Sequence, residues 1–146
     1  MSERTNDGAS VHVTTHESEV AQLADASRAH EPGELGALAC KLYDENPNLT
    51  EEEAYEAFIG WVESRGIELW PHQEEALMSI MVGDHVILGT PTGSGKSLVA
   101  LGMHFIAMCF GERSYYTAPI KALVSEKFFN LVDILGRENV GMITGD

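Results

Sequence analysis

The sequence predicts an α/β fold in which a parallel βαβαβ unit follows a short helical segment and an acidic, core-less leader. Three observations carry this expectation. Short apolar runs at His85 to Gly89, Ser114 to Ala118 and Val140 to Thr144 have the composition of strands covered on both faces. Apolar residues at helical spacing fill the intervals between them. Glycines stand at 83, 111 and 136, where each preceding helix would need to stop. Strands alternating with helices in this way join by right-handed crossovers into a parallel sheet.

The chain has 146 residues, of which 44% are hydrophobic, enough for one domain if they are suitably placed. Their placement is uneven. Residues 1–32 are polar, acidic and small, and are expected to be a disordered leader. Residues 33–67 form an accessory helical segment, and 68–146 form the βαβαβ unit. The leader lacks the charged start and apolar middle of a secretory signal, and no later apolar run is long enough to span a bilayer. A cytoplasmic protein without membrane contact is the expectation. Cys40 and Cys109 lack any metal-ligand spacing and read as small, reduced apolar residues. A formal net charge of -14 counts against a simple electrostatic nucleic-acid binder, since phosphate neutralisation needs clustered Lys and Arg.

Local signals place the helices. Thr50 and Glu53 have the spacing of a capping box, in which each side chain satisfies the other residue's free amide. Tyr55, Phe58, Ile59 and Val62 then form one apolar face, with Gly66 as the stop. Pro71 suits the first position of a second helix, on which Leu77, Ile80 and Met81 recur. Two further helices are predicted from Lys96 to Phe110 and from Lys121 to Leu135. No internal repeat is evident.

Directly after the first predicted strand stands Thr90-Pro91-Thr92-Gly93-Ser94-Gly95-Lys96-Ser97, running into a helix. This is the context of a phosphate-binding loop. Thr92, Gly93, Ser94 and Gly95 offer inward-turned backbone amides, and the helix N-terminus adds partial positive charge. Lys96 can reach the outer phosphates and Ser97 can ligate magnesium through its hydroxyl. The broad GxxxxGK[ST] pattern would put glycine where this chain has Thr90.

That departure carries a resemblance. The form [A/T]PTGSGK[S/T] is motif I of superfamily 2 helicases, and the segment resembles the DEAD/DEAH-box family. Three more stretches resemble that family's motifs in the right order. Leu69-Trp70-Pro71-His72-Gln73 resembles the Q motif, which implies that the Gln73 amide pairs with adenine; an amide suits that edge, offering a donor and an acceptor side by side. Thr117-Ala118-Pro119-Ile120-Lys121-Ala122-Leu123 resembles motif Ia, implying contact of Pro119, Lys121 and Ala122 with a nucleic-acid backbone. The terminal Thr144-Gly145-Asp146 resembles the TGD segment, whose Thr144 and Gly145 would meet phosphates of the tracking strand. PIKAL followed by Glu126-Lys127-Phe128 is similar to the superkiller-type, exosome-associated branch of RNA helicases.

The resemblance covers Leu69 to Asp146 and implies part of a RecA-like P-loop NTPase domain, with ATP and Mg2+ as cofactors and single-stranded RNA or DNA as partner. It further implies an acidic strand of DExH type shortly after the TGD segment, and a second RecA-like domain. Asp133 is the nearest acidic candidate, but it falls on a helical stripe of Val124, Phe128, Leu131 and Leu135. The chain therefore reads as the N-terminal part of a helicase, ending before the residues that complete ATP hydrolysis. Alone it is expected to bind nucleotide weakly or not at all and not to turn it over. A DNA helicase of the same superfamily and a non-catalytic nucleotide-binding or interaction module are the alternatives. A small-molecule kinase or transporter ATPase would fit the loop but leave the other motifs unexplained.

Overall fold

The structure is a computed structural model describing residues 33–89 and 95–145. The leader 1–32, and Thr92, Gly93 and Ser94 of the loop, lie outside the described residues. Five helices are described: α1 (Glu34–Glu45), α2 (Glu51–Ser64), α3 (Pro71–Met81), α4 (Lys96–Cys109) and α5 (Lys121–Leu135), the last followed by a 3-10 turn at Arg137–Asn139.

Helix starts and stops follow the local chemistry. Thr50 Oγ1 accepts from the Glu53 amide at 3.2 Å while Glu53 Oε2 accepts from the Thr50 amide at 2.9 Å, which is the predicted reciprocal cap of α2. Pro71 opens α3. Gly66, Gly83 and Gly111 have positive φ just beyond α2, α3 and α4, a conformation that costs other residues steric energy. Asp133 is an exposed residue of α5, as expected. Helix α1 has no counterpart in the sequence reading beyond the general helical label for 33–67. Leu35, Leu38, Ala39 and Leu42 recur on one of its faces, a short stripe between a proline-containing entry and Asn46-Pro47.

The core surrounds α4, on which Leu98, Val99, Leu101, Phe105, Ile106 and Cys109 are buried. Helices α1, α2 and α3 pack against it, while α5 packs on α1. Gly102 lets α2 and α3 come close: a Cβ there would overlap Leu77 Cδ2 and lie 2.9 Å from Phe58 Cε1. Phe58 also meets the ring of Phe105, with centroids 5.7 Å apart. At the other end, a Cβ on Gly36 would overlap the Leu135 carbonyl, so α1 crosses the end of α5 at backbone contact.

The helices occur in the predicted order, but no strand is present among the described residues. His85 to Gly89, Ser114 to Ala118 and Val140 to Thr144 run as extended connections without a ladder. Ile87 is 97% and Ile143 89% exposed, so these runs are not covered on both faces as predicted. The physical difference is one of range. A helix closes its hydrogen bonds within four residues, whereas each strand needs a distant neighbour in register.

Substituting Gly102→Val should destabilise the fold by about 1–3 kcal/mol through overpacking. Gly60, with open space around its Cα, provides the opposite case: Gly60→Ala should stabilise by about 0.5–1 kcal/mol. Urea midpoints of the two variants should move in opposite directions.

Candidate nucleotide site

The site begins where α4 begins. Gly95 is the N-cap of α4, with φ 76° and ψ 26°, and it must be glycine for two reasons. The left-handed conformation penalises a side chain, and a Cβ would overlap Gln73 Nε2. Gln73, on the first turn of α3, is only 5% exposed. Its Oε1 accepts from the Trp70 amide at 2.8 Å and its Nε2 donates to the Gly95 carbonyl at 3.1 Å. The residue therefore ties the start of α3 to the start of α4 across 22 positions of sequence. Read alone, it would be an exposed first-turn residue; instead it is buried. Each end of the amide retains capacity, one lone pair on Oε1 and one N–H on Nε2.

Lys96 and Ser97 follow on the first turn of α4, both half-buried. A glycine cap, the amide-rich end of a 14-residue helix, an ammonium and a hydroxyl form a donor set suited to a nucleotide phosphate with magnesium. The absence of a Cβ at Gly95 leaves the space that the Gln73 amide fills. The described part of the loop thus fits the group its sequence implies. Trp70 is 46% exposed beside this helix start, with its ring centroid 5.5 Å from that of His72.

Two residues that the sequence did not single out line a small cavity together with Ser97. Lys127 of α5 is only 6% exposed, and its Nζ donates to Ser97 Oγ at 3.1 Å. Burial pushes its pKa down, partly opposed by neighbouring Glu126. Its position on the apolar stripe, between Val124 and Leu131, was the available signal. His104 of α4 is 5% exposed. Its Nδ1 lies 2.6 Å from Ser114 Oγ, and its Nε2 has no partner among the described residues.

The segments assigned to nucleic acid lie at the surface. Pro119, Lys121 and Ala122 are exposed at the start of α5; Thr144 is half-buried and Gly145 exposed. Thr117 and Ile143, next to these two segments, line one cavity of about 630 Å³ between α4 and α5. Among the described residues no cluster of His, Cys, Asp and Glu could hold a metal, and no helix is long and apolar enough to cross a membrane. Cys40 and Cys109 are both free; Cys40 is exposed, and burial pushes the Cys109 thiol up to about 12.

The family model for DEAD/DEAH box helicases matches residues 70–146, just over half of the chain. The chain belongs to the DEAD/DEAH box helicase family. Similar proteins include the DExH-box ATP-dependent RNA helicase DExH15, chloroplastic, of Arabidopsis thaliana, 38% identical over 51% of this chain. Antiviral helicase SKI2 of Saccharomyces cerevisiae is 38% identical over 54%, and the ATP-dependent DNA helicase Hel308 of Pyrococcus horikoshii is 41% identical over 58%. The matched parts are 6%, 6% and 12% of those proteins' lengths. No solved structure matches the chain. Membership in this helicase family implies a RecA-like fold. The matched region contains Gln73, Gly95, Lys96, Ser97 and Lys127 but not α1 or α2.

Two predictions follow the geometry of the helicase site. Gly95→Ala should cost about 1–3 kcal/mol for its left-handed backbone, and more for the collision with Gln73. In a Gln73→Ala background the same substitution should cost less, which a thermal-denaturation double-mutant cycle would register. Burial also holds the His104 pKa below its ordinary value. The unfolded chain therefore takes up a proton that the folded chain refuses. Stability from neutral His104 is full above about pH 6.5 and is lost as pH falls toward the depressed folded value. Denaturation midpoints should drop across that window, and His104→Gln should flatten the slope.

Proposed function

We propose that this chain supplies the ATP-binding part of an ATP-dependent RNA helicase of the superkiller-type branch. The observation that carries the reading is the hydrogen bond from Gln73 to Gly95, which joins the adenine-reading segment to the phosphate loop. In this reading Gln73 uses its spare donor and acceptor on adenine, and its bonds to Trp70 and Gly95 hold the amide in a fixed orientation. Thr92, Gly93, Ser94 and Gly95 offer backbone amides to the phosphates. Lys96 neutralises the outer phosphates, and Ser97 holds magnesium through its hydroxyl. Magnesium, when bound, offsets phosphate charge during phosphoryl transfer.

Pro119, Lys121 and Ala122 meet one stretch of single-stranded backbone, and Thr144 with Gly145 meets another. Contacts of this kind position a strand without reading its bases, as suits an enzyme that tracks along nucleic acid. In this reading the segments 85–89, 114–118 and 140–144, which form no ladder among the described residues, stand at the strand positions of a RecA-like βαβαβ sheet. Hydrolysis further requires an acidic strand and a second RecA-like domain.

A DNA substrate is the second reading, favoured by the similarity to Hel308 over 58% of the chain. The 2′-hydroxyl separates the two substrates. In the protein at its full native length, matched single-stranded RNA should stimulate ATP hydrolysis more than DNA; the reverse order would favour the second reading. Lys96→Ala should weaken nucleotide binding about 10- to 100-fold, the worth of a charge-assisted contact. Sustained hydrolysis by the 146-residue chain, abolished by Lys96→Ala, would overturn the requirement for further domains.

A further inference from the structure

Lys127 is a cation placed where an apolar residue would satisfy helix packing. It lies on the inner stripe of α5, and 6% of its surface is exposed. Among the described residues it has no ion pair, and its hydrogen bond goes to Ser97 Oγ at 3.1 Å. A buried ammonium loses hydration that one neutral hydroxyl only partly replaces. Simple snorkelling does not describe it, because the charged end points at the nucleotide loop rather than at water.

Its acceptor is the oxygen assigned to magnesium. An ammonium can only donate, so it occupies a lone pair of Ser97 Oγ. A metal ion needs a lone pair on the same oxygen and brings a second positive charge beside the first. The two cations repel at this distance in a partly buried site. With Lys127 in place, Ser97 is held by a cation before the metal arrives. Lys127 also sits less than two turns along α5 from Lys121, on the helix that opens at the nucleic-acid segment. Any displacement of that helix moves Lys127 relative to Ser97.

We propose that Lys127 is a positioning residue of the nucleotide site: its ammonium holds the Ser97 hydroxyl, competes there with nucleotide-bound magnesium, and links the metal end of the site to the nucleic-acid end of α5. This rests on the reading of Ser97 as the magnesium ligand. Lys127 itself touches no reacting atom in this scheme. Its effect is on where Ser97 Oγ points and on how strongly the site prefers nucleotide with metal over nucleotide without it.

The test is equilibrium titration of the protein at full native length with a fluorescent ATP analogue, with and without Mg2+. Lys127→Met keeps the stem but removes the charge, and Lys127→Gln keeps a donor without it; circular dichroism checks that each folds. The ratio of affinities with and without magnesium should rise several-fold in both variants. In a Ser97→Ala background, Lys127→Met should leave that ratio unchanged, an outcome that a packing role alone would not produce. Single-stranded RNA should raise the ratio in the wild type and have little effect on it in Lys127→Met. Equal ratios in wild type and Lys127→Met, or an equal RNA effect in both, would overturn the proposal. Binding indifferent to Lys96→Ala would instead overturn the nucleotide reading, and this inference with it.

Discussion

Close approach at Gly102 sets the spacing of the helices around α4. Leu77 of α3 and Phe58 of α2 reach into the space where a side chain would stand, and Phe58 continues inward to Phe105. Helix α3 is thereby held against α4 at its middle, while Gln73 and Gly95 hold its start. Two attachments along one helix fix its rotation as well as its distance. The start of α4 is thereby oriented by its contacts with α3.

Much of this could be read from the sequence where the governing interactions are local. The reciprocal cap at Thr50 and Glu53, Pro71 at a first helical position, and glycines beyond helix ends all act within a few residues. The stripe of α5 also identified Asp133 as a helix residue rather than an acidic strand end. Apolar composition alone did not reveal that 85–89, 114–118 and 140–144 lack a ladder among the described residues, because pairing depends on remote partners. The motif resemblance singled out Gln73, but its burial against Gly95 could not be read locally, because the partner stands far along the chain. Helix α1 was obscured by the prolines and glycine near its ends, although its Leu35, Ala39 and Leu42 had helical spacing.

The polar contacts of the accessory helices show how an acidic chain can still dock specifically. Arg65, just beyond α2, reaches Glu34 at the start of α1 at 2.5 Å. Its guanidinium also lies 4.8 Å from the centroid of the Trp61 ring. A planar cation can combine these two contacts, one with a carboxylate and one with an aromatic face, where lysine could not reproduce the stacking. The half-exposed carboxylate at the start of α1 is thus also a point of helix-to-helix attachment.

At the same end of α1, Gly33 donates to the Asp133 carbonyl at 2.8 Å, and Gly36 lies against the Leu135 carbonyl. The family match begins at residue 70, so homology and packing draw different borders. A gene fragment cut at the homology border would encode α3, α4 and α5 without the two helices that cover Leu101, Phe105 and the end of α5. Domain shuffling or recombinant expression would therefore have to carry residues from Gly33 onward as one inherited unit, although the recognisable motifs occupy only its later part.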